Sequence, residues 1–186
     1  MGSCEAVPVV PGQSSEGSQT GERSTDGIRS IARLCGLTIW TTRAFRENWF
    51  VGSLGLAMCF WLVLWWIGSR DIAAKWGGSS LVLYLSLSLW QPALEELGFR
   101  GLLQGVLLEH QSYRSRIGPL TLANVVTSVA FGIAHLPSHP AWWVAGILLT
   151  SLLLGYARDR TGSLYPSIVL HGYFNAGYFL VVGIPS

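Results

Sequence analysis

Between Trp49 and Val182 the chain is a succession of five apolar runs parted by short polar or Pro- and Gly-rich links. The runs are Trp49 to Ile67, Ser79 to Leu108, Leu120 to Leu136, Ala141 to Ala157 and Leu164 to Val182. An α-helix needs about 20 mostly apolar residues to cross a bilayer, and each run is near that length or longer. The pattern predicts an all-α fold, a polytopic membrane bundle of about five transmembrane helices. Trp40, Trp49, Trp76, Trp142, Trp143 and Tyr165 fall near the predicted ends, where amphipathic aromatics settle at the membrane surface. No internal repeat is visible.

Upstream of the first run the pattern changes. Ile28, Ile31, Cys35 and Ile39 recur at helical spacing, with Arg29, Arg33, Arg43 and Arg46 among them. This predicts a helix over Ile28 to Asn48 lying in the membrane interface. Residues 1–27 are rich in Gly, Ser, Gln and Glu. They lack the apolar material to order themselves and are expected to form a disordered tail. No apolar core follows a basic start, so the tail is not read as a signal peptide. One membrane domain, 28–186, follows it.

Composition sharpens the membrane reading. Half of the 186 residues are apolar, only 12% are charged, and nine are tryptophan; a soluble domain carries about 25% charge. A net charge of +2 gives no footprint for nucleic acid. Cys4, Cys35 and Cys59 have neither metal-binding nor redox spacing. The short links put Arg29 to Arg46, Arg114, Arg116, Arg158 and Arg160 on one side, against Arg70 and Lys75 on the other. The excess of Lys and Arg inside places the N-terminus in the cytoplasm and the C-terminus outside.

Within this apolar frame a few polar groups stand in the wrong solvent. "QPALEELGFRG", Gln91 to Gly101, interrupts the second run with Glu95, Glu96 and Arg100. Unpaired, three charges in mid-span would cost on the order of 8–10 kcal/mol. Glu96 and Arg100 are four apart and share a helix face, so they can pair. Glu95 is rotated about 100° away and has no local partner. Pro92 can free backbone groups just before it. The third run ends in "SVAFGIAHL" with His135, and the fifth, "YPSIVLHGYFNAGY", sets His171 and Asn175 four apart on one face. A buried carboxylate can serve as general base, a histidine beside it can hold the same water, and a second histidine with an amide can stabilise an oxyanion. These are the parts of amide hydrolysis without a covalent intermediate. No serine or cysteine nucleophile motif is present.

The motifs "EELGFR", "FGIAH" and "HGYFN", in that order on separate runs, resemble those of the CPBP family, the CAAX-protease and bacteriocin-processing group of intramembrane glutamic endopeptidases. The resemblance spans the motif core, residues 79–178, and extends to "RGLLQGVL", "ANVVTSVAFGIAHL" and "TGSLYPSIVLHGYFNAGY". It implies that Glu95 and His135 activate water, that His171 and Asn175 stabilise the oxyanion, and that Glu96 and Arg100 support the site, without metal or other cofactor. It also implies a multi-pass protein of the bacterial inner membrane. Its substrate would be a membrane protein or lipid-anchored protein cut near its C-terminus, such as a prenylated CAAX tail or, in compact members similar to myxosortases, a C-terminal sorting tail.

Two other readings of the same residues stand beside this one. Glu95, His135 and His171 could hold zinc in a three-ligand site with an open position. H-E-x-x-H is absent, however, and Pro137 spoils the helix that His135 and His139 would need. Alternatively, the polar groups could serve a non-catalytic binding or immunity protein. Gly98, Gly101 and Gly105 are expected to permit close helix approach, Arg158 and Arg160 to mark the inner face, Phe131 to pack beside His135, and His139 to be solvated.

Overall fold

The structure is a computed structural model, and it describes residues 26–68 and 81–183. The expected tail up to residue 25, Ser79, and the expected outer link with Arg70, Lys75 and Trp76 lie outside the described residues. The chain divides into two compact units, Met1–Ile31 and Ala32–Ser186. Of the first, residues 26–31 are described and are helical.

The second unit is all-α but for a two-residue hairpin. Its long helices are α1 (Asn48–Ile67), α2 (residues 81–109), α3 (Leu122–His135), α4 (Ala141–Thr161) and α5 (Tyr165–Val182). Strands β1 (Arg116–Ile117) and β2 (Leu120–Thr121) pair antiparallel, Arg116 facing Thr121. Local chemistry sets the helix ends. Thr121 Oγ1 caps α3 by accepting from the Asn124 N–H at 3.1 Å, satisfying one of the free donors of a helix start. Pro166 occupies the first turn of α5, where a missing N–H costs nothing. Gly162 closes α4 at φ +67°, a left-handed conformation that glycine adopts without strain.

One expected element differs. A single interfacial helix over Ile28 to Asn48 does not form. The helical residues end at 34, and only Arg43–Arg46 resumes, as one 3-10 turn. Gly36 is the reason: it sits at φ +71°, and a Cβ there would come within 2.5 Å of Gly162 O. The chain turns at Gly36 and is clamped by Arg158. This arginine is buried; it donates to Gly162 O, to Leu34 O at 2.8 Å and to Arg100 O at 3.4 Å. Arg158 therefore joins three segments, whereas Arg160 is exposed and pairs with Glu47 at 2.7 Å.

The packing is inside-out for water and right for lipid. Leu56, Trp66, Val82, Trp142 and Leu149 are each at least 66% exposed, while Gln104, Asn124, Thr127, Ser128, Ser151 and Ser167 are fully buried. Among the described residues, Asn48–Ile67 and Ala141–Thr161 are long and apolar enough to cross a membrane. Several of the interior polar groups are matched to neighbours, Ser167 Oγ donating to Leu154 O at 2.9 Å and Asn124 Nδ2 to Leu152 O at 3.0 Å, whereas Thr127 Oγ1 and Ser88 Oγ are buried without a partner. The Asn124 side chain occupies the place where residue 155 would carry a Cβ. Only glycine lets α3 and α4 approach so closely. Gly155→Val is expected to destabilise the protein by about 2–3 kcal/mol, through overpacking and the loss of the Asn124 bond. In detergent this would show as a melting temperature roughly 5–10 °C lower.

α2 is continuous but changes winding. Ser86–Trp90 and Leu97–Leu103 are π-helical, and Gln91–Glu96 between them is α-helical. Pro92 accounts for the first change. Gln91 N–H bonds back to Ser86 O in the wider register, and the next donor in that register would be residue 92, which has no N–H. The backbone carbonyl oxygen of Leu87 is thereby left for another partner, and π segments of this kind concentrate at functional sites.

Candidate active site

α2 contributes the acids. Glu96 and Arg100, both fully buried, pair at 2.9 Å one turn apart. Arg100 is fixed on its other side by α4, its Nη2 donating to Ser151 Oγ at 2.6 Å and to Ser151 O at 3.1 Å. Its guanidinium lies 4.5 Å from the centre of the Phe131 ring on α3, a cation–π geometry. A carboxylate, a hydroxyl, a carbonyl and a ring face offset much of the mid-span cost of this charge, while Arg100 Nε and Glu96 Oε2 stay buried without a hydrogen-bond partner.

α5 completes the group. His171 Nδ1 donates to Glu96 Oε1 at 2.8 Å, the same oxygen that accepts from Arg100. The opposite ring nitrogen, Nε2, faces Glu95 Oε2 at 3.7 Å, beyond hydrogen-bond length. Glu95 is held instead through Oε1, which accepts from Gln91 Nε2 at 2.8 Å. Its side chain keeps 21% of its surface exposed, against none for Glu96. The two adjacent acids thus differ in kind: one is locked in an ion pair, and the other faces an imidazole and is reachable.

Asn175 lies one turn beyond His171 and donates from Nδ2 to Leu87 O at 3.2 Å. That carbonyl is the one Pro92 cannot bond, so the proline interrupts α2 and the amide of α5 fills the gap. Close approach makes this possible. A Cβ on Gly172 would stand 2.9 Å from Ser88 O, and Tyr84 Oη donates to Ala176 O at 3.2 Å above it.

His135, at the end of α3, is placed differently. Its Nδ1 donates to Phe131 O at 2.8 Å, leaving Nε2 as the free nitrogen. It makes no hydrogen bond or ion pair with Glu95 or His171. Phe131 stands between, its ring 4.4 Å from His135 and 5.9 Å from His171. So Glu95, Glu96, Arg100 and His171 form one contiguous group, Asn175 adjoins it along α5, and His135 borders it across an aromatic ring. Among the described residues no group of three or more His, Cys, Asp or Glu side chains is arranged to hold a metal ion. His139 lies in the loop after α3, half-buried, with a ring contact to His135 at 5.9 Å and its Nδ1 buried without a partner, so it is solvated only in part.

Two contributors were missed in the sequence. Gln91 precedes Glu95 by four, so its contact was legible as helix spacing. Ser151 sits in an apolar run 51 residues from Arg100, and no pattern pointed to it.

Over residues 77–177 the chain matches the family model described as Rce1-like: Type II CAAX prenyl endopeptidase Rce1-like. That stretch contains all six side chains from Glu95 to Asn175. No curated protein and no solved structure matches the chain.

Proposed function

This chain belongs to the Rce1-like, type II CAAX prenyl endopeptidase family of membrane proteases, and from that premise we propose that it is a multi-pass intramembrane endopeptidase of glutamic type. Glu95 is the general base, with His135 as second holder of the attacking water. His171 and Asn175 face the oxyanion, and Glu96 and Arg100 hold His171 in place. What supports this most is the contrast between the adjacent acids. Glu96 is consumed by Arg100 and His171, while Glu95 keeps an open face toward His171 Nε2. A base must be reachable by water and substrate, and only one of the two is.

In the same reading all five helices span the bilayer, the N-terminus is cytoplasmic, the membrane is a bacterial inner membrane, and residues 28–186 form the protease domain. The substrate is a membrane-anchored protein cut near its C-terminus, with a prenylated CAAX tail or a sorting tail as the two chemistries to test. The assay is reconstitution in liposomes with quenched fluorescent peptides of both kinds, the fragments identified by mass spectrometry. Cleavage that persists with a zinc chelator is expected, because water activation is assigned to Glu95. Absence of any cleaved product, here and among membrane proteins of cells with and without the enzyme, would overturn the reading.

Asn175→Ala tests the oxyanion role. Removal of one such donor lowers kcat by about 10²–10³-fold. The expected result is a loss of that size with KM little changed, since the bond strengthens only as charge develops on the carbonyl oxygen.

A further inference from the structure

The buried face of α2 runs straight along the helix. Ser88, Pro92, Glu96, Arg100 and Gln104 are all fully buried, and each follows the last by four residues. Trp90, Leu94, Leu102 and Val106 mark an exposed face with the same register. An α-helix overshoots a full turn by about 40° at every fourth residue. Between Ser88 and Gln104 a purely α-helical stripe would wander by roughly 160° and leave the interior. The π segments Ser86–Trp90 and Leu97–Leu103 are wound wider and undo that drift. The changes of winding therefore hold one stripe inside along the length of α2.

Four of the five stripe residues are polar, and each of the four keeps one buried atom without a hydrogen-bond partner. These are Ser88 Oγ, Glu96 Oε2, Arg100 Nε and Gln104 Oε1. Among the described residues, the other such atoms are on Thr127 and His139, so the stripe holds most of them. A buried polar atom left alone carries its full desolvation penalty, and lipid supplies no partner. The Glu96–Arg100 pair shows what kind of partner is wanted. It closes through one prong, Nη1 to Oε1 at 2.9 Å, and leaves Nε–H as a donor and Oε2 as an acceptor. A metal cation cannot accept from Nε–H, and a simple anion has no hydrogen for Oε2. Water does both. Successive stripe positions rise about 6 Å along the axis, close to two hydrogen bonds of about 2.8 Å laid end to end through a shared water. From Glu96 past Pro92 to Ser88 the rise is about 12 Å, which takes more than one water. At its other end the stripe leads out of the interior. Gln104 Nε2 donates to Asp159 Oδ1 at 2.7 Å, and Asp159 is half-buried and accepts from Thr121 Oγ1 beside the hairpin.

We propose that this stripe binds a file of water molecules, running along α2 from the Gln104–Asp159 pair at the hairpin end to Glu96 and on to Ser88. The file delivers the water that each hydrolysis consumes to Glu95, the neighbour of Glu96, without opening the exposed apolar faces. The binding follows from the stripe alone; the supply role rests on the endopeptidase reading.

The test is X-ray radiolytic footprinting of the full-length protein in lipid nanodiscs. Hydroxyl radicals formed from bound water oxidise the side chains beside it, and mass spectrometry locates the added oxygen. Pro92 lies in the stripe, and the Phe131 ring lies 4.5 Å from the Arg100 guanidinium. Both are buried, as are Leu154 and Leu170 in the apolar core. The expected result is oxygen added at Pro92 and Phe131 and none at Leu154 and Leu170. On rapid mixing with ¹⁸O-labelled water, the label should appear at Pro92 and Phe131 several-fold more slowly in Gln104→Met than in wild type. No oxidation at Pro92 and Phe131 overturns the file, and so does equal oxidation at all four residues. Unchanged exchange in folded Gln104→Met overturns the inlet at the hairpin end. The wild-type pattern decides the binding even where Gln104→Met does not fold. Because the labelling needs no substrate, a wet stripe in a protein that cleaves nothing overturns the endopeptidase reading instead, and a dry stripe in an active protein overturns the file alone.

Discussion

Glu95→Gln is expected to abolish cleavage, lowering kcat/KM by about 10³–10⁴-fold, in the upper range of what a positioned base contributes, while folded yield and melting temperature stay near wild type. Both halves of this expectation come from the same geometry. Glutamine has the shape of glutamate, and its carbonyl can still accept from Gln91 Nε2, the 2.8 Å bond that holds Glu95. Because Glu95 is partly exposed and has no close ionic partner at hydrogen-bond length, removing its charge leaves no buried group orphaned. Changes away from such features stay within about ±0.5 kcal/mol. What glutamine cannot do is accept the proton of water. Glu95→Asp retracts the carboxylate by one methylene and should retain part of the rate. A Glu95→Gln protein that cleaves normally would remove the acid from the mechanism. A cellular function that persisted without cleavage would point to a binding or immunity role.

How far the site could be read from the sequence depends on the range of each interaction. The Glu96–Arg100 pair lies within one helical turn, so its spacing disclosed it. The helices were legible too, since a lipid-facing bundle must write its apolar surface into long runs; the structure places a helix on each of the five. The His171 contact to Glu96 joins residues 75 apart. Composition along the chain made both groups suspect as intramembrane polar residues but could not pair them. The resemblance assigned Glu96 a supporting role, and only the packing of α5 on α2 gives that role a hydrogen bond. Winding was less legible still. Pro92 announced a disturbance in α2, yet the π register and its link to Asn175 depend on α5 arriving close enough, at Gly172, to use the freed carbonyl. The predicted interfacial helix stops at residue 34, short of Asn48, for a related reason. Helical spacing through Cys35 and Ile39 was real, but the left-handed Gly36 and the buried Arg158 that clamps it outweighed that pattern.

The largest effect on stability is expected at Arg100. Arg100→Met keeps much of the volume and removes the charge, leaving Glu96 buried with His171 as its only polar neighbour. Breaking a buried pair in this way costs about 3–5 kcal/mol, and the melting temperature should drop by roughly 10–15 °C. The informative comparison is the double change Glu96→Leu with Arg100→Met. Replacing both members of a buried pair by apolar groups is often neutral or stabilising, so the double variant should recover much of what Arg100→Met loses, although the Ser151 hydroxyl also loses its partner. Activity should not return with it. Without Glu96 the His171 ring has no acceptor at Nδ1, and nothing then directs Nε2 toward Glu95. Stability and catalysis separate in this pair of variants because a folded bundle needs only that no charge be left alone, whereas hydrolysis needs the carboxylate itself. A double variant that regained cleavage along with its melting temperature would show that Glu96 and Arg100 serve packing alone.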